Sequence, residues 1–202
     1  VKTLTFDSGT HEVTKGIVIA RGTAKIAARC TAQVIAYDNA QVEAHDDAYV
    51  TAYDNSQVTV HGSARVFACD SAQVVAYNSA HVAAHDASQV TAHNWSRVTA
   101  YDTVQVDARD DTYVMALDNA SVTAHDDSRV VVRGAAQVSA HYWSHVTAYD
   151  AAQVTAHGYT RVIAHDNLVK ITAHDNAYVT APDASQVTTM DDAQVVNMME
   201  KT

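Results

Sequence analysis

The sequence predicts an all-β chain: a two-sided parallel β-solenoid with 16-residue coils, two octad strands to each, about eleven coils and capped ends. Three observations predict it. A branched apolar residue recurs at every eighth position, turn-forming pairs close each octad, and the outward-facing residues differ between alternate octads.

The branched residue falls at Val18, Ile26, Val34 and Val42 and continues at every eighth position to Val162 without a break. The register then slips by one within 167–170, after which Ile171, Val179, Val187 and Val195 resume the spacing. One inserted residue near a corner, taken up as a local bulge, accounts for the slip. The residues two before and two after each central valine are small, as Ala40 and Ala44 are around Val42. Polar or bulky residues stand between them, which is the alternation of a strand with one buried face, and helical spacing fits nowhere.

Each strand ends in a pair such as Asp38-Asn39, Asp54-Asn55, Gly62-Ser63 or Asp118-Asn119. These residue types tolerate tight-turn backbone angles, and the corner aspartates are expected to accept backbone N–H bonds within their turns. Every octad is therefore one strand and one corner.

The outward residues fix the number of octads per coil at two. In one set the residue before the valine is Gln41, Gln57, Gln73, Gln89, Gln105, Gln137 and Gln153, interrupted by Ser121. In the other set the same place holds Tyr49, Arg65, His81, Arg97, Tyr113, Arg129, His145, Arg161 and Tyr178. The repeat is thus a pair of octads, spanning 18–196, with 1–17 expected as an N-terminal cap and 197–202 as a C-terminal cap or tail. Caps are needed because an open solenoid end exposes strand edges to aggregation.

Composition narrows the function. The net charge is −10, whereas a phosphate-backbone binder needs clustered Lys and Arg, so no nucleic-acid partner is expected. No stretch approaches 18 consecutive apolar residues, so no membrane partner is expected either. Six glycines and an eight-residue period do not fit the nine-residue, glycine-rich units of a calcium roll. Ser, His and Asp occur throughout, but nothing in the pattern places a nucleophile beside a base in a concave site, so no enzyme and no cofactor are expected.

Four surface columns remain as candidates. The glutamines form a column expected to build an amide ladder along the rod. Thr59, Thr91, Thr123 and Thr155 form a second column on the same face, with Glu43, Val75 and Asp107 interrupting it. His125, His141, His157 and His174 fall on consecutive coils as a stacked row. A straight row on a flat sheet does not converge on a tetrahedral ion, so no metal is expected there. Finally Trp95, Trp143 and Tyr159 share one corner position, with Tyr142 beside them, and large aromatics on a corner suggest a protein partner or self-association. Cys30 and Cys69 lie about two and a half coils apart, roughly 12 Å along the axis, too far for a disulfide.

The 16-residue coil, the two-sided stack and the tyrosine row at Tyr37, Tyr53, Tyr101 and Tyr149 resemble bacterial ice-nucleation proteins over 18–196. That resemblance implies an ice or water surface as partner. Their Thr-x-Thr water-ordering motif is missing here, since Thr stands between Gln and His, as in Gln153-Val154-Thr155-Ala156-His157. The leading expectation is a non-catalytic rod serving as spacer or binding platform. An ice-binding or water-ordering protein is the first alternative, and an acidic nucleic-acid mimic is the second.

Overall fold

The computed structural model describes residues 3–182 and 186–197. The chain winds between two parallel sheets of 13 and 12 strands, successive strands alternating between them. Strands begin at every eighth residue from Ile17–Ala20 to Arg161–Ala164, each four residues long. Residues two octads apart pair directly, as Gln73↔Gln89 and His81↔Arg97 do, so a pair of octads makes one coil. Twelve coils at strand spacing give a rod roughly 58 Å long. For brevity, the Gln sheet contains Gln41–Ala44 and its neighbours, and the Arg sheet contains Arg65–Ala68 and its neighbours.

The count exceeds the eleven coils expected because 3–17, within the expected N-terminal cap, enters the stack. Thr3–Phe6 pairs with Ile17–Ala20, and Thr10–Val13 pairs with Lys25–Ala28, making a shortened first coil with a largely exposed strand at the end. At the other end Gln194–Asn197 is the final strand of the Arg sheet, and 198–202 lie outside the described residues. The inserted residue forms no bulge within a strand. It enlarges the corner between Arg161–Ala164 and Lys170–Ala173, where the N–H of Val169 donates to the carbonyl of Asp166 and Leu168 projects into solvent. A corner absorbs an extra residue without breaking the ladder on either side.

The core is the inner face of both sheets. Val42, Val58, Val74 and Val90 are buried, as are the flanking Ala40, Ala44, Ala72 and Ala76. Burying each valine contributes on the order of 1.5 kcal/mol or more. The last corner position is inside as well, and holds Ser or Thr in several coils. Ser88 and Ser144 keep their hydroxyls bonded by donating to the carbonyls of His85 and His141, both at 2.9 Å.

The corners explain the aspartates. In the corner 53–56, the N–H groups of Tyr53 and Asn55 donate to Ala36 and Asp38 of the preceding coil, and that of Ser56 closes the turn onto Tyr53. The second residue, Asp54, has φ of 54°, in the left-handed region, and its N–H points the other way along the axis. It donates to Oδ2 of Asp70 in the following coil at 3.2 Å. The sequence expectation placed these bonds inside each turn. They instead run between turns, because the left-handed backbone aims the one unserved N–H out of its own coil. On the corner that leads from the Arg sheet to the Gln sheet this chain of bonds is continuous from Gly22 through Asp38, Asp54, Asp70, Asp86 and Asp102 to Asp118.

Candidate functional site

The Gln sheet holds three of the predicted columns. Gln41, Gln57, Gln73, Gln89, Gln105, Gln137 and Gln153 are exposed and in register, with Ser121 between Gln105 and Gln137. The expected amide ladder does not form: among the described residues no glutamine side chain bonds to another. These amides are exposed, so water competes for them at little net cost. Thr59, Thr91, Thr123 and Thr155 are half-buried at the third strand position, with Asp107 between Thr91 and Thr123.

The histidines lie just past the strands, at the corner leading back to the Arg sheet. His125, His141, His157 and His174 stack face to face with ring centroids 5.2, 5.0 and 4.5 Å apart. A second run, His45, His61, Tyr77 and His93, stacks at 4.8, 5.0 and 5.0 Å. Arg109 separates the two runs. Burial holds the His141 imidazole below its ordinary pKa, and its neighbours His157 and His125 lower it further. Both cysteines are free thiols. Cys69 sits just past the strand Arg65–Ala68, at the edge opposite Cys30.

The Arg sheet carries a pattern that the sequence displays but the octad columns hide. Along its first strand position the order is Tyr49, Arg65, His81, Arg97, Tyr113, Arg129, His145, Arg161, Tyr178, all in register. Arginine occupies every second coil, roughly 9.6 Å apart, with a flat ring between each pair. Reading the sequence at a 32-residue interval exposes it. Among the described residues the ion-paired arginines are Arg29 and Arg109, so these four guanidiniums are free of carboxylate partners. Burial, then the neighbouring Arg97 and Arg65, lowers the His81 pKa.

The corner aromatics join that row. Trp95, Tyr142, Trp143 and Tyr159 are 68%, 62%, 59% and 55% exposed, and Trp143 stacks on Tyr159 at 4.7 Å. Trp95 overhangs a groove of about 850 Å³ shared with His81, Arg97, Tyr113 and Arg129. Trp143 and Tyr159 border a second groove with His145, Arg161 and Tyr178. Trp95, Trp143 and Tyr159 therefore flank the track of guanidiniums and rings, whereas Tyr142 is not among the residues that line these two grooves. Asp111 also faces the first groove, so the track is positive in the middle and acidic at its corner.

Comparisons with protein-family models, with curated proteins and with solved structures found no match for this chain. What defines it is its own geometry: a parallel β-solenoid of 16-residue coils, with two chemically unlike faces.

Proposed function

We propose that the chain is a non-catalytic, rod-shaped binding platform whose Arg sheet receives an elongated, sparsely charged polyanion of the acidic-polysaccharide class. The observation that carries this reading is the alternation of unpaired guanidiniums with flat rings along the track. A guanidinium takes a carboxylate through paired N–H donors, and an exposed aromatic face offers a sugar ring an apolar surface. An extended chain with a carboxylate on alternate sugars repeats at an interval close to two coils, so each Arg meets one acid and each ring one intervening sugar.

Nucleic acid fits this row poorly. A single strand presents a charge about every 3.4 Å, far denser than one guanidinium per two coils, and the net charge of −10 repels the remainder. The test is a tryptophan-fluorescence titration with hyaluronan, whose glucuronates alternate with neutral sugars, against a neutral β-glucan. Binding of the first only, weakened several-fold by Arg97→Ala with Arg129→Ala and by added salt, is the expected result. No difference between the two polymers rules the reading out.

Water ordering is a second reading, favoured by the in-register threonines of the Gln sheet, such as Thr155↔Thr172. Faceted growth of ice crystals in the presence of the protein, abolished by Thr123→Val with Thr155→Val, is its signature.

A further inference from the structure

On the Gln sheet, two acidic side chains interrupt the outward threonine column where it borders the histidine rows: Glu43 and Asp107. Each stands beside the first corner residue of its own coil and the equivalent residue of the next. For Glu43 those neighbours are His45 and His61; for Asp107 they are Arg109 and His125. The two places share a backbone frame; at the second the carboxylate is one methylene shorter and Arg109 stands where the first has His45.

At Glu43, Oε1 lies 3.0 Å from Nε2 of His45, and one ligand atom from each of Glu43, His45 and His61 lies within 4.8 Å of the others. Bond lengths of 2.0–2.2 Å around a tetrahedral ion place its ligand atoms about 3.3–3.6 Å apart. The Glu43–His45 pair already spans such an edge. His61 is stacked on His45 at 4.8 Å and has to swing inward, which a half-exposed surface ring does by side-chain rotation. The neighbouring cation on this edge, Arg29, is drawn away to Glu12 at 3.2 Å. A groove lined by Lys25, Gln41, Gln57 and Thr59 borders Glu43 on its other side and leaves it open to solvent.

We infer that Glu43, His45 and His61 form a site for a first-row divalent ion such as Zn²⁺, with the fourth position left to water. Two imidazoles and one carboxylate are the ligand set that Zn²⁺ accepts in open sites. The flat histidine row by itself does not converge on an ion. The carboxylate beside it supplies the missing direction.

The Asp107 position is a control built into the molecule. There Arg109 holds Asp107 with two N–H donors, its NH2 group 2.8 Å from Oδ2, so a cation already occupies the carboxylate. His125 stands 3.8 Å from Asp107 with no second imidazole. In the row His141, His157 and His174 the carboxylates lie singly on the Nδ1 side, Asp175 3.9 Å from His157 and Asp191 4.0 Å from His174, and among the described residues none joins two rings as Glu43 does; Ser139 is the neighbour of His141 there, at 3.0 Å.

The test is isothermal titration of the full chain with Zn²⁺ at pH 7.5, with circular dichroism to verify each variant's fold. One equivalent is expected, with affinity reduced about tenfold or more by Glu43→Gln and by His61→Phe, and unaffected by His157→Phe. Arg109→His is expected to add a second equivalent, held by Asp107, the new imidazole and His125. The inference is overturned if Zn²⁺ does not bind, if Glu43→Gln binds as the parent does, or if His157→Phe weakens binding as much as His61→Phe.

Discussion

Asp86 accepts the backbone N–H of Asp70 through its Oδ2 at 3.2 Å, across the gap between two coils. Asp86 is itself in the left-handed region, with φ of 59°, and its own N–H passes to Asp102. One residue type thus fills two roles, permitting the turn and linking it to the previous one. Asp86→Ala removes the acceptor and places a Cβ-bearing residue without local side-chain bonding in the left-handed region. We expect a loss of about 2–3 kcal/mol by chemical denaturation, against less than about 1 kcal/mol for Asp86→Asn, which keeps an oxygen and tolerates the backbone. Equal losses would show that the side-chain oxygen has no part.

The aspartates show how far a sequence can be read. Their spacing placed every corner, because turn chemistry is local and repeats with the strand period. The partner of each carboxylate was hidden, since it depends on which way a left-handed N–H points relative to the axis. The same distinction runs through the site. Val42, Ala40 and Ala44 declared their buried face by alternation, and Trp95, Trp143 and Tyr159 declared themselves by rarity. The glutamine column looked like a ladder, but a shared register does not make exposed amides bond. Glu43 read only as a gap among threonines, since its closeness to His61 arises from stacking and not from chain order.

Tyr142 occupies the corner place that Asp, Asn or Gly fills in most other coils and Cys30 in one, with φ of 59° and its ring in solvent. A bulky side chain there costs about 1 kcal/mol or more. Tyr142→Asp is expected to raise the melting temperature by a few degrees, the added carboxylate also reaching the N–H of Asp126. A lower melting temperature would mean that the tyrosine ring contributes packing that outweighs its backbone strain.

Val90 and Ala92 are buried side by side on the inner face of the Gln sheet. A larger residue there has to displace its packed neighbours. Val90→Phe or Ala92→Leu is expected to cost about 1–3 kcal/mol in denaturant unfolding, and parent-like stability in both would contradict the assigned facing.

His141, stacked between His125 and His157, has a pKa lowered by burial and by those two rings. The folded chain therefore binds its proton less readily than the unfolded chain does. Stability is fully present above the ordinary histidine value near 6.5 and falls as the pH drops from there through the lowered folded value. His141→Phe keeps the stack and removes the charge. Its melting temperature should decline less steeply than the parent's between about pH 6.5 and 5. Parallel curves would show that protonation of this ring is not felt.

The fold and both of its faces depend on two octads making one coil. Electron–electron distance measurement between nitroxide labels on Gln41 and Gln105, and on Gln41 and Gln153, in a chain with Cys30→Asn and Cys69→Ser, tests it directly. Four and seven coils separate these pairs, so we expect distances of roughly 19 Å and roughly 34 Å. Separations of roughly 38 Å and roughly 67 Å would mean an eight-residue coil, and values that do not scale with chain interval would contradict the solenoid itself.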